Sequence, residues 1–166
     1  MITEKYQVEH YVLRNYFKKL NILFVESLQI DKEIFSFSIR KRIPIPFLRK
    51  QVNYHDLRER GRQILAALKE IQEDLSQLVF EKAETNELVS IMRDYAFCSV
   101  RAQEALNTLC YRLYLKSEGI KDIDNEEYIK LCNDYFSIDE IRDRQYALQM
   151  DLIAEKLGFE VLHKQI

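Results

Sequence analysis

The 166-residue sequence has few of the residues that build turns, with only three glycines and two prolines. Tight connections between strands usually need both residue types, so this scarcity argues against a fold rich in β-structure. Long apolar runs are also missing, and none approaches the roughly 20 residues of a membrane-spanning helix. The first residues lack the basic start and apolar core of a signal peptide. These absences predict a helical protein with neither a transmembrane segment nor a secretion signal.

Cysteine is scarce too, and its three positions do not suggest a disulfide framework. Cys98, Cys110 and Cys132 leave one thiol unpaired in any scheme, and no Cys-x-x-Cys pair occurs. Cys98 and Cys110 would lie about 18 Å apart on one helix, which is too far for a disulfide. We therefore expect a protein of a reducing compartment, the cytoplasm, with its cysteines packed as small hydrophobic residues.

Apolar residues recur at alternating steps of four and three along two long segments. A helix of 3.6 residues per turn places such positions on one face, whereas a strand would divide them between both faces. A similar stripe over residues 2–30 predicts a first helical arm. The stripes of the second and third arms are Leu57, Gly61, Ile64, Leu68, Ile71, Leu75 and Leu78, and then Leu88, Met92, Tyr95, Ser99, Ala102, Leu106, Leu109 and Leu113.

The remainder of the chain predicts a fourth arm that is kinked. Gly119 and Gly158 are each followed by an apolar residue, which is typical of the end of a helix. Between them we expect two shorter helices, over 123–135 and 138–157, because Ser137 and Glu140 form the Ser-x-x-Glu capping box of a helix start. The inward stripe of the second helix would be Ile138, Ile141, Gln145, Leu148 and Leu152.

The segment 31–52 differs from the rest of the chain. Phe35 to Ile39 alternates like a short strand, and Pro44 and Pro46 force extended backbone around them. We therefore predict a long extended connection between arms one and two. The predicted fold is all-α, with residues 1–166 forming a single domain, an antiparallel bundle of four long helical arms of which the last is kinked into two helices.

Charge is distributed unevenly along the chain, although the net charge is only −2. Residues 40–62 contain eight bases and two acids, whereas residues 117–166 contain six bases and twelve acids. A basic end and an acidic arm could attract each other between copies of the chain. This pattern predicts head-to-tail self-association that weakens as salt is added.

Basic residues around an apolar extended core in 35–62 are typical of a surface that contacts a partner. In the alternative reading, the apolar residues fold back onto the helical core and the bases only solvate its edge. We favour a non-enzymatic cytoplasmic interaction protein, an adaptor, regulator or assembly subunit, that binds a protein partner or itself and needs no cofactor. The predicted partner-binding residues are Arg40, Lys41, Arg42, Phe47, Arg49, Lys50 and Arg58.

The spacing of Arg49 and His55 allows a different function. The pair resembles the Arg-x(4–6)-His element of the HEPN family of all-helical ribonucleases, although Lys50 stands where that family often has a small polar residue. The resemblance implies a nucleic-acid-acting protein, a metal-independent ribonuclease in which Arg49 steadies a phosphate and His55 exchanges a proton with the ribose 2′-hydroxyl.

The three histidines allow a metal site only if they converge. His10, His55 and His163 come from separate regions, and the inward stripes of the first three arms contain no Asp or Glu. Metal-binding helical bundles need several inward carboxylates. We therefore expect no metal, and we expect His10 to be a core histidine satisfied by a hydrogen bond.

Overall fold

The computed structural model describes residues 2–40 and 52–159, with side chains for residues 7–35 and 52–159. Every element in this part of the chain is a helix, which confirms the all-α prediction. Within it, no helix combines the length and apolar character that a bilayer-spanning segment requires. The elements are α1 (Ile2–Arg40), α2 (Tyr54–Gln77), α3 (Ala83–Ser117), α4 (Asn125–Ile141), a π-helical segment (Arg142–Ala147) and α5 (Leu148–Lys156).

The predicted stripes of α2 and α3 lie in the core. All positions from Leu57 to Leu75 in the α2 stripe and from Leu88 to Leu109 in the α3 stripe are buried. The side chain of Asn53 accepts a hydrogen bond from the Asp56 amide at 3.1 Å and so begins α2. Positive φ angles at Gly119 and Gly158, 68° and 78°, follow the ends of α3 and α5, where glycine is the residue least strained by that conformation.

The predicted extended connection is wrong for residues 31–40, which continue α1 as a helix. The reason is that the apolar spacing of α1 continues past Ile30 to Ile34, which is also buried. Phe35 packs against the last part of the chain, with its ring centroid 4.8 Å from that of Phe136. For Phe35, therefore, the alternative prediction is correct, namely that the apolar residues of this segment fold back onto the helical core. Residues 41–51 lie outside the described part of the structure.

The predicted kink in the fourth arm is also wrong. α4, the π-helical segment and α5 follow one another without a break, and we call residues 125–156 the last helix. Ser137 does not cap a new helix, because its hydroxyl donates to the Asp134 carbonyl inside α4, at 3.3 Å. The inward stripe predicted there is wrong as well, since Leu148 and Leu152 are 62% and 59% exposed.

The π-helical segment explains why that stripe failed. A π turn has i→i+5 hydrogen bonds, so it adds a residue to the helical repeat. Before the π turn, the buried positions Tyr135 and Arg142 are seven residues apart, which is two ordinary helical turns. The next buried position, Ala147, comes five residues later. Met150 and Ala154 then follow at the ordinary spacings of three and four residues. Positions that continue the α4 spacing beyond Arg142 without this extra residue, such as Leu148 and Leu152, therefore face the solvent.

The helices meet in a consistent order. Asn107 of α3 contacts Gly61 of α2, while Arg93, earlier in α3, contacts Leu75, later in α2. Similarly, Tyr16 of α1 contacts Asp74, and Glu33 of α1 contacts Arg60. In these two helix pairs, the contact made by the later residue of one helix falls on the earlier residue of the other. α3 contacts α1, α2, α4, the π-helical segment and α5, so it lies at the centre of the core.

Candidate functional site

Arg58 is the one predicted partner-binding residue whose side chain the structure describes. Its guanidinium carbon lies 4.6 Å from the ring centroid of Tyr111 and 5.9 Å from that of Tyr114. Stacking on aromatic faces in this way stabilises a cation without an acidic partner. Arg40 ends α1, and its side chain is not among those described. The other predicted positions, Lys41, Arg42, Phe47, Arg49 and Lys50, fall within the undescribed residues 41–51.

The remaining bases at the start of α2 are largely neutralised by nearby acids. Arg60 pairs with Glu33 at 3.0 Å and with Asp56 at 3.8 Å, and Arg62 pairs with Glu59 at 4.0 Å. The described part of the predicted basic surface therefore has little free positive charge beyond Arg58. Sequence counting missed this because it could not place Glu33 beside Arg60.

Two bases of α3 offset part of the acidic excess of the chain after residue 117, and a further acid is paired within that segment. Arg112 binds Glu127 through two hydrogen bonds of 2.6 and 2.7 Å, and this pairing lowers the pKa of the Glu127 carboxyl. Lys116 lies 3.1 Å from Asp122, and Arg144 lies 2.9 Å from Glu140. These contacts weaken the argument for head-to-tail attraction between residues 40–62 and 117–166.

The two described histidines, His10 and His55, do not come together. The His10 ring packs edge-on against Phe159, with 4.6 Å between centroids. His55 lies in the first turn of α2 near Tyr114, whereas the α1 region around His10 adjoins the other end of α2, where Tyr16 binds Asp74. His55 and Asp74 are about 28 Å apart along α2. Among the described residues, no group of three His, Cys, Asp or Glu side chains could hold a metal ion. His163 lies outside them.

Arg142 is the most unusual polar residue of the core, and the sequence reasoning did not identify it. Only 3% of the residue is exposed, and its guanidinium donates hydrogen bonds to Asp139 at 2.5 Å and to Asp143 at 3.0 Å. Its carbon also lies 4.6 Å from the Phe24 ring centroid of α1. The first residue of the π-helical segment therefore joins the last helix to α1.

Acidic and hydroxyl groups surround this arginine. Burial, followed by repulsion from Asp139, raises the pKa of Asp31 on α1 to about 6. Burial likewise raises the pKa of Asp139 and of Tyr95. The Asn21 amide is buried without a hydrogen-bond partner in the described part of the structure. Arg142 thus holds two acids of its own helix and contacts α1 through the Phe24 ring.

The cysteines lie in environments that disfavour the thiolate form. Burial raises the pKa of all three thiols, and that of Cys110 reaches about 12. A reactive cysteine needs the opposite shift, because the thiolate is the nucleophile. Their environment agrees with the prediction that they behave as small hydrophobic residues.

A second surface, on the outward side of α1, combines free positive charge with exposed apolar side chains. Arg14, Lys18 and Lys19 are exposed, and the described residues supply none of them with an ion pair. Val8 and Tyr11 beside them are 63% and 67% exposed. We call this surface the α1 basic face, and it consists of Val8, Tyr11, Arg14, Asn15, Lys18, Lys19 and Ile22.

The sequence contained a signal for this face that went unnoticed. No acid occurs between Glu9 and Glu26, and the three bases in that interval fall at helical spacing. Shallow pockets lie along it, one of about 250 Å³ beside Tyr11 and Arg14 and one of about 340 Å³ beside Lys18 and Ile22.

Neither a family model, nor a curated protein, nor a solved structure matches this chain. The resemblance to HEPN ribonucleases thus rests on Arg49 and His55 alone, and it stays a prediction because Arg49 is not described.

Proposed function

We propose that the chain is a non-enzymatic, cytoplasmic interaction protein, an adaptor, regulator or assembly subunit. The observation that carries the proposal is the α1 basic face. Exposed apolar side chains next to unpaired charge are what a partner of opposite charge recognises. By contrast, the buried ionisable groups are engaged in packing, as Arg142 is, or have pKa values shifted away from reactivity, as Cys110 has.

We further propose that residues 1–166 form a single domain in which the four helices make an antiparallel bundle. The reversed order of the contacts between α2 and α3 and between α1 and α2 supports this arrangement. A rigid bundle with its leucine stripes inside suits an interaction protein, since it holds an outer helix face in a fixed shape.

The surface predicted from the sequence, residues 35–62, enters this proposal as a second contact region. Arg58 supports it, because its charge has no acidic partner among the described residues and its Tyr111 platform is partly exposed. Arg40, Lys41, Arg42, Phe47, Arg49 and Lys50 would extend it. Charge reversal at Arg58 should weaken binding less than charge reversal on α1, since one cation contributes less than three.

Affinity capture from native extract with the tagged full chain tests the proposal. We expect Lys18→Glu/Lys19→Glu to lose a partner that wild type retains. The Lys130→Glu/Lys156→Glu control, with the same change of net charge on the last helix, should keep it. With the purified partner, hydrogen exchange should slow over residues 8–25. RNA cleavage by wild type that His55→Ala abolishes would contradict a non-enzymatic role.

A further inference from the structure

The tip of the α2–α3 hairpin is strongly acidic, in contrast to α1. Glu70, Glu73, Glu84 and Glu87 are exposed and form no ion pairs within the described residues. Nearby bases offset them only in part, because Lys69 pairs with Glu104 and Arg93 binds the carbonyls of Leu75 and Leu78. Even with Lys82 the region keeps an excess of negative charge. We call the four glutamates and Val79 the acidic tip.

The acidic tip and the α1 basic face lie at the same end of the molecule. The Tyr16 hydroxyl donates to Asp74 at 3.0 Å, and Glu70 is near enough to help raise the Tyr16 pKa, after burial and Asp74. The Lys19 ammonium lies 5.6 Å from the Tyr16 ring centroid, so the edge of the α1 basic face adjoins the part of α2 that carries Asp74 and Glu70. Each surface also has an exposed apolar group, Tyr11 on α1 and Val79, which is 81% exposed, on the tip.

We infer that the α1 basic face binds the acidic tip of a second copy of this chain. This inference rests on the proposed function and identifies the protein partner as a second copy of the chain. Charge complementarity selects this occupant, because each copy presents both a basic and an acidic surface, with apolar groups in each. The pocket beside Tyr11 and Arg14, about 250 Å³, has room for a side chain the size of Val79.

Two adjoining complementary surfaces favour a closed two-fold dimer. In such a dimer the basic face of each copy meets the tip of the other, so the same contact forms twice and no surface remains for further growth. A single contact between short helix faces would fall below the roughly 800 Å² per partner of a standard interface, and repetition compensates for this. Because the contacts are exposed ion pairs, dimerisation should weaken as salt rises.

Two charge-reversed variants and their mixture test the contact, using light scattering coupled to size exclusion in 20–500 mM salt. Lys18→Glu/Lys19→Glu has two acidic surfaces, and Glu84→Lys/Glu87→Lys has two basic ones. Each alone should dimerise on the order of a hundredfold more weakly than wild type, because every exchanged pair becomes repulsive. The equimolar mixture should restore a 1:1 dimer, since both contacts become attractive again.

Lys130→Glu/Lys156→Glu serves as the control and should dimerise like wild type, and circular dichroism should show equal helicity in all variants. A wild-type monomer at every concentration and salt would overturn the inference. So would a dimer that survives both charge reversals, or a dimer that the equimolar mixture does not restore.

If monomeric wild type instead binds phosphatidylserine vesicles and Lys18→Glu/Lys19→Glu does not, the inference is overturned and the α1 basic face is a lipid-binding surface. A monomer that still captures a partner through α1 would leave the proposed function standing.

Discussion

Asp31 on α1 is destabilised as an anion by its position in the core. It is partly buried, and although Arg142 and Lys32 favour its charge, burial and Asp139 outweigh them and raise its pKa to about 6. The folded protein therefore takes up this proton at higher pH than the unfolded chain, whose aspartate titrates near 3.9. The Asp31 contribution to stability consequently increases as pH falls from about 7 to about 4.

Asp31→Asn removes that penalty. At pH 7 we expect the free energy of unfolding to rise by about 1–2 kcal/mol, with a flatter pH dependence between 4 and 7. Urea unfolding across this range measures both effects. Asp134→Asn, the same substitution at an exposed position of the last helix, provides a control that should change little. If Asp31→Asn were less stable than wild type at pH 7, the charged carboxylate would have to stabilise the fold, which contradicts the prediction.

At the scale of the helix pair, Gly61 of α2 lies in close contact with Asn107 of α3. A Cβ added there would lie 2.1 Å from the Asn107 Oδ1, and Asn107 itself donates to the Gly61 carbonyl at 3.1 Å and accepts from Gln103. On an exposed helix, Gly→Ala stabilises by up to about 1 kcal/mol. At Gly61 we expect the opposite sign, a loss of about 1–3 kcal/mol, because either the backbones separate or the Asn107 hydrogen bonds break.

A double-mutant cycle in urea separates the clash from the other effects of the methyl group. Combining Gly61→Ala with Asn107→Ala should recover part of the loss, since the group that the methyl meets is then gone. Strictly additive losses would indicate that the helices yield without involving Asn107.

The helices differ in how far sequence alone could predict them. α2 and α3 each follow a regular 3.6-residue repeat, so periodicity identified the buried face of both helices. The last helix broke that rule at Arg142, where the π turn shifted the repeat by one residue and placed Leu148 outside. α1 ran past its predicted end because Phe35, which alternates with serines in the sequence, pairs with aromatic residues of α4 in the structure.

The candidate surfaces show a similar division. The three bases of the α1 basic face can be read from the sequence, whereas their position beside Glu70 depends on α1 packing against α2. The neutralisation of Arg60 by Glu33 is equally a product of tertiary structure, because 27 residues separate them in the chain. Counting charged residues in the sequence therefore identified the charged segments, but it could not show which side chains lack an ion-pair partner in the folded protein.

For the molecule as a whole, Arg142 decides how firmly α1 and the last helix are held together. The α2–α3 hairpin has extensive apolar packing, but α1 meets the last helix through single side chains, such as Phe24 on Arg142 and Phe35 on Phe136. Arg142→Ala would leave Asp139 without its partner and lower the free energy of unfolding by about 3 kcal/mol.

The loss should not be uniform over the chain. Native-state hydrogen exchange should accelerate most in α1 and the last helix, while the centre of α3, where Tyr95 and Leu106 are fully buried, remains the slowest region. Arg144→Ala, on the exposed side of the same π-helical segment, is the matched control and should leave exchange in α1 unchanged. Equal acceleration in all helices of Arg142→Ala would instead indicate one cooperative unit in which this arginine has no special role between α1 and the last helix.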